Sequence, residues 1–249
     1  MNFQEIQEAR KQWNEQWRDY HLVFFKENIL KNKNFSFTKY GDGELICISG
    51  DEGHNCDGHP YSKELGSLLK LSLLSNADRK NVYIGDWTGW MGDNLSQFRN
   101  EILKDKNPNY VLYEILMNHE EKPNPNLHNL IKEIKYTKRK KIFVGPNKLR
   151  RVNNLINTTV QIEVPPNNTF SEYPEIKKKC LHLMEENCIF IFSCGMPSKV
   201  LVNDILSKEN KVTCLDFGSG FDNIILDKET RQGQIENNIM KNFYKKLLT

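Results

Sequence analysis

Two carboxylates one residue apart, Asp42 and Glu44, stand in the stretch Phe35-Ser-Phe-Thr-Lys-Tyr-Gly-Asp-Gly-Glu-Leu-Ile-Cys-Ile48, preceded and separated by Gly41 and Gly43. On an extended backbone an i, i+2 pair projects to one side, so both acids would meet one hard cation through oxygen. Glycines at this point let the chain bend and let phosphate oxygens approach the amides. Acid, glycine and acid at a strand end therefore suit a metal-diphosphate site. Asp-Gly between apolar runs is equally a hairpin-turn signal.

Other residues of chemical interest fall in loops. Gly50 to Pro60 carries His54, Cys56, Asp57 and His59, nitrogen, sulfur and oxygen donors at short spacing, but lacks the second pair of ligands a structural zinc site needs. It is expected to line a polar cleft. Gly85 to Asp93 holds Trp87 and Trp90, which suit either a sugar or base face or a hydrophobic plug.

Regular elements must position these loops. Phe3, Ile6, Ala9, Trp13, Trp17, Tyr20 and Phe24 recur at helical spacing over residues 3–32, predicting a helix that covers one face of a sheet. A strand at 35–40, a Leu-rich helix at 61–75 opened by Pro60 and a strand at 82–84 follow. Next come a helix at 95–104, a strand or helix at 110–117 and a helix at 127–135. From residue 141 strands and helices alternate: strands at 141–144, 160–164, 188–192 and 211–215, helices at 149–156, 173–186 and 199–207. Continuous apolar strands alternating with helices predict an α/β fold, a mostly parallel, Rossmann-like sheet with helices on both faces. The strands end in Gly145-Pro-Asn-Lys148, Pro165-Pro-Asn-Asn168, Ser193-Cys-Gly-Met-Pro-Ser198 and Asp216-Phe-Gly-Ser-Gly220, the edge where such sheets bind ligands.

The 249 residues are expected to form one domain, with 1–34 as a helical segment packed on it. A net charge of +3 from 35 basic and 32 acidic residues gives no electrostatic case for nucleic acid. The densest basic run, Lys138-Arg-Lys-Lys141, is expected to be solvated. Six cysteines without CxxC spacing predict buried thiols in a reducing compartment. No apolar stretch is long enough to span a bilayer and no secretory signal is evident, so a cytoplasmic location is expected.

Four ordered motifs resemble the glycosyltransferases of the GT-D fold, the group with an Asp-x-Glu motif. These are Lys39-Tyr-Gly-Asp-Gly-Glu44, Tyr61-Ser-Lys-Glu-Leu65, Val164-Pro-Pro-Asn-Asn-Thr-Phe-Ser-Glu-Tyr173 and Asp216-Phe-Gly-Ser-Gly-Phe-Asp222. Lys39 departs from the family's arginine, keeping charge but losing bidentate geometry. The resemblance implies transfer of a sugar from a nucleotide-diphosphate-sugar donor, a UDP-sugar first, to a glycan or other hydroxyl acceptor. It implies that Asp42 and Glu44 hold a divalent cation, Mn2+ or Mg2+, or the donor diphosphate. Donor contacts are implied for Lys39, Tyr40, Gly41, Gly43, His59, Asn147, Lys148, Pro166, Asn167, Gly195, Lys199, Asp216, Gly218 and Ser219. Asp222, Asp57 and Asp216 are candidates for the base that takes the acceptor proton.

Two other classes compete. Val212 to Gly220 also resembles the glycine-rich first motif of S-adenosylmethionine methyltransferases, although only 29 residues follow it. The other is a non-catalytic nucleotide-sugar-binding protein.

Overall fold

The computed structural model describes residues 3–86, 93–118, 122–227 and 235–249, with side chains of the first helix from Trp13 onward. Trp87 and Trp90 and the side chains of Phe3, Ile6 and Ala9 lie outside the described residues.

Seven strands form one sheet: β1 (Ser36–Lys39), β2 (Val82–Asp86), β3 (Asn109–Leu112), β4 (Lys141–Gly145), β5 (Val160–Glu163), β6 (Ile189–Phe192) and β7 (Thr213–Asp216). Their order is β3-β2-β1-β7-β6-β4-β5, and every neighbouring pair is parallel. The helices are α1 (Phe3–Leu30), α2 (Asp42–Ser49), α3 (Lys63–Ala77), α4 (Asp93–Ile102), α5 (Pro125–Tyr136), α6 (Val152–Ile156), α7 (Tyr173–Leu183), α8 (Pro197–Lys208), α9 (Asp222–Ile225) and α10 (Asn237–Leu248). The expected parallel α/β architecture is present. The two C-terminal helices were not foreseen, and the ambiguous segment at 110–117 starts as strand β3.

Period-two alternation sorts the strand side chains between two cores. Phe37, Phe143, Ile189, Ile191 and Leu215 pack on one face under α1, α5, α6 and α10. Ile142, Val144, Phe190, Phe192 and Cys214 pack on the other under α7 and α8, a layer continued by α2 and α3 around Leu65, Leu69 and Leu73. Five of the six cysteines are buried as free thiols; Cys56 is exposed.

The side each helix takes follows from the direction of its crossover. Steps toward the β3 edge, such as β1 to β2 and β6 to β7, pass through α2, α3 and α8 on the second face. Steps toward the β5 edge, β3 to β4 and β4 to β5, pass through α5 and α6 on the first. One handedness governs all of them. The neighbours β6 and β4 therefore send their chains to opposite faces, which opens a crevice at their carboxyl ends.

The basic run at 138–141 is not the solvated segment its composition suggests. Arg139 and Lys141 are buried at the amino edge of the sheet. Arg139 donates to Asn187 O (2.6 Å), Asn34 Oδ1 (2.6 Å) and Thr213 Oγ1 (2.8 Å), tying the amino ends of β1, β6 and β7 together. Burial brings its guanidinium down to about 10, and Lys141 is satisfied by the carbonyls of Lys135 and Thr137 at 3.0 and 2.9 Å. A buried cation is tolerated where backbone oxygens surround it.

Candidate active site

Asp42-Gly43-Glu44 is not a strand end. The chain leaves β1 at Lys39, and Asp42 already opens α2, with Gly41 as its N-cap in extended conformation. Acids in the first turn of a helix are favoured by its orphan amides and dipole. Glu44 at the third position reaches back, and its Oε2 accepts the Gly41 N–H at 2.8 Å, half of a capping box. On a helix the i, i+2 pair diverges by about 200°. Asp42 is accordingly exposed and Glu44 buried. The extended backbone from which the joint metal site was read is corrected on this ground.

Lys199, from the first turn of α8, reaches under the same turn. Its Nζ lies 2.9 Å from Glu44 Oε1, 3.0 Å from Asp216 Oδ2 at the end of β7, and 3.4 Å from Gly195 O. The Asp216 contact is coulombic rather than a directed hydrogen bond, since neither Asp216 oxygen has a hydrogen-bond donor. All three side chains are buried. Burial alone would lower the Lys199 ammonium, but Asp216 and Glu44 hold it well above its ordinary value. Burial likewise pushes the Glu44 carboxyl up, and Lys199 with the Gly41 amide brings it below the usual range.

Above this cluster lies an open cleft of about 160 Å³ at the carboxyl edge of the sheet. Lys39, Asp42, Gly43 and Glu44 reach it from the β1 side and Tyr113 from the end of β3. Pro146 and Lys148 come from β4, Pro165, Pro166, Asn167 and Thr169 from β5, Ser193, Gly195 and Lys199 from β6, and Gly218, Ser219 and Asp222 from β7. Lys39 is buried, with Nζ 3.4 Å from Phe217 O and 5.0 Å from the centre of the Tyr113 ring. It crosses Gly218, where a Cβ would come within 2.7 Å of the ammonium.

The loop after α2 contributes Asn55, Cys56, Asp57 and His59. Asn55 Oδ1 accepts the amides of Asp57 (3.0 Å) and His59 (2.9 Å), which fixes the loop's path. His59 is buried against Gly195, which has φ of +70° and no room for a Cβ: one there would meet His59 Nε2 at 2.8 Å. Burial lowers the His59 imidazole below its ordinary value, outweighing the opposing effect of Asp57. His59 Nδ1, Ser193 Oγ and Ser219 Oγ have no hydrogen-bond partner within the described protein.

Four residues expected at the donor do not line the cleft. Tyr40 follows Lys39 on the strand and so points to the opposite side; it is fully buried, its hydroxyl 2.9 Å from Ser72 Oγ, and burial pushes its phenol up to about 12. Asp216 is fully buried behind Lys199. Gly41 spends its amide on Glu44, and Asn147, exposed in the turn after β4, is flanked by lining residues without being one. Asn55, Tyr113, Thr169 and Ser193 line the cleft without having been singled out. Their common signal was position, in or after a loop at a strand's carboxyl end.

Among the described residues no three His, Cys, Asp or Glu side chains are grouped to hold a metal ion. Both Glu44 oxygens already accept from protein donors, so Glu44 is the less available of the two acids. Asp42, exposed at the cleft, fits as a ligand, and Asp57 and Asp222 line the same space. Counting the lining groups, the three lysines Lys39, Lys148 and Lys199 face the four carboxylates Asp42, Glu44, Asp57 and Asp222, with Asp216 behind them. A diphosphate entering that field is better matched when a cation accompanies it.

No family model matches the chain, and no curated protein is recognisably similar to it. Solved structures are. One, of the domain of unknown function 1792, superposes with a TM-score of 0.56 at 18% identity over 82% of this chain and 82% of its own. Another, described as a highly conserved domain of unknown function 1792 with a distinct glycosyltransferase fold, gives 0.55 at 19% identity over 79% of this chain and 76% of its own. The chain has that fold.

Proposed function

We propose that the protein is a glycosyltransferase that takes a nucleoside-diphosphate sugar in the carboxyl-edge cleft and transfers the sugar to a hydroxyl acceptor. The observation that carries this is the convergence of six strand ends on one crevice, bringing lysines, an outward carboxylate and the partnerless polar atoms of His59, Ser193 and Ser219 together. Transfer requires a place for the negative charge that grows on the leaving diphosphate as the glycosyl bond breaks. Lys39 and Lys148 supply positive charge on opposite sides of the cleft, and the Ser193 and Ser219 hydroxyls are donors for phosphate or ribose oxygens. His59, held neutral by burial, is a hydrogen-bonding group rather than a charge. A divalent ion bound with the donor through Asp42 would neutralise the diphosphate further. Asp222, a part-buried carboxylate of the cleft lining, would receive the acceptor proton. Asp216, engaged by Lys199, is withdrawn from that role.

Melting curves with UDP-, GDP- and CDP-sugars, each with and without Mn2+ or Mg2+, test the reading beside S-adenosylmethionine. A ligand present at a hundred times its Kd adds about 2.7 kcal/mol to the native state. A rise with one nucleotide sugar, followed by release of its nucleoside diphosphate, supports transfer. A rise without turnover marks a binding protein, and a rise with S-adenosylmethionine alone ends the proposal.

A further inference from the structure

The two acids of the Asp42-Gly-Glu44 motif stand one residue apart, but their surroundings differ. Asp42 is exposed at the cleft, its Oδ1 accepting the adjacent Gly43 N–H at 2.9 Å. Glu44 has one oxygen on the Gly41 amide and the other on Lys199. An ammonium has three hydrogens to give, and Lys199 faces three oxygens: Glu44, Asp216 and the carbonyl of Gly195. Its charge is thereby committed to Glu44 and Asp216 rather than left free for a ligand.

These contacts join three separate parts of the cleft floor. Glu44 belongs to the turn after β1, Gly195 to the loop after β6, and Asp216 to the end of β7. We infer that Glu44, Lys199 and Asp216 are positioning residues, a buried clamp that fixes the β1, β6 and β7 loops in register, and that Asp42, the exposed acid of the motif, makes the ligand contact. Through the Gly41 amide the clamp sets the first turn of α2 and hence the outward direction of Asp42. Through the Gly195 carbonyl it sets the loop that seats His59. The function assigned to the cleft enters only when activity is read; the clamp itself stands on the contacts.

Two roles for Glu44 predict opposite responses. A carboxylate held ready for a cation beside Asp42 is a source of repulsion in metal-free protein, so removing its charge leaves stability unchanged or raises it. A carboxylate inside a buried cluster takes its charge-assisted hydrogen bonds with it when neutralised, here those from Lys199 and the Gly41 amide, and so costs stability.

The test is carried out on the full chain. Metal-free melting temperatures are measured in EDTA for wild type, D42N, E44Q and K199M. Mn2+ binding is measured by electron paramagnetic resonance in the presence of uridine diphosphate. We expect E44Q to lower the metal-free melting temperature by about 6 °C or more and K199M by more still, with D42N within about 2 °C of wild type. D42N should weaken Mn2+ binding about tenfold more than E44Q does. In donor hydrolysis, D42N should raise the Mn2+ concentration needed for half-maximal rate, whereas E44Q should lower kcat with that requirement little changed.

An unchanged or raised melting temperature for E44Q, or a loss of Mn2+ affinity equal to that of D42N, overturns the clamp. Should K199M fail to fold, E44Q decides alone. If wild type binds no Mn2+ or hydrolyses no nucleotide sugar, the donor reading falls, and the metal-free melting comparison still settles whether Glu44 is a clamp residue.

Discussion

Glu44 and Lys199 are 155 positions apart in sequence, and nothing in the local pattern of either announces the other. That is why the acid pair was legible as a site while its division of labour was not. The misread part was local, and a signal was present: glycine followed three residues later by glutamate, with an acid between, is a helix start as much as a turn. Tyr40 failed for a simpler reason, since adjacent strand residues cannot both face one cleft. Two expectations belong at this scale. Asp42→Asn should reduce donor hydrolysis by about a hundredfold, the order lost with one transition-state contact, while the fold melts normally; full turnover would remove Asp42 from the chemistry. The clamp also predicts a pH profile. Glu44, depressed in the folded state, contributes stability above about its ordinary 4.5 that is lost as pH falls through its folded value. Lys199, raised, contributes below its ordinary 10.5 and loses this as pH climbs through its folded value. The melting-temperature gap between wild type and Glu44→Gln should therefore be flat through neutrality and close only in acid. A gap that peaks near pH 7 would point to His59 instead.

The strands and helices after residue 141 were readable because β4, β6 and β7 are buried on both faces and so are largely apolar, while the carboxyl ends break into Gly, Pro, Asn or Ser. Less readable was the amino edge, where the Arg139 charge hides a buried role that only tertiary contacts reveal. Opposite edges of one sheet make separable predictions. Arg139→Met removes several charge-assisted hydrogen bonds and should cost at least about 3 kcal/mol in denaturant melts, yet leave donor KM unchanged because the cleft is at the other end of the strands. Gly195→Ala should do the reverse in emphasis. A side chain at φ +70° costs about 1–2 kcal/mol, and the new Cβ displaces His59, so donor KM should rise by more than the stability loss explains. Equal effects of the two variants on KM would deny the separation of edges.

Across the whole molecule the sheet order puts the last strand described, β7, between β1 and β6. It is the one strand hydrogen-bonded to both halves: β1 to β3 lie on one side, β4 to β6 on the other, and no other described pair links them. During synthesis the chain therefore exists as two half-sheets, each with an open edge that its proper neighbour has not yet reached, and unpaired edges invite pairing with other chains. Refolding should accordingly be limited by a late, long-range insertion. Leu215→Ala, which hollows β7 where it is fully buried, should slow refolding as well as lower stability by about 2–5 kcal/mol, with yield falling as protein concentration rises. Refolding as fast as wild type would put β7 outside the rate-limiting step. The cleft shares this timing, because Asp216 and the loop carrying Gly218, Ser219 and Asp222 all follow from β7. A ribosome-bound chain that stops before it has made most of the walls of its ligand site and none of the keystone, so ligand can rescue only molecules whose folding is already all but complete.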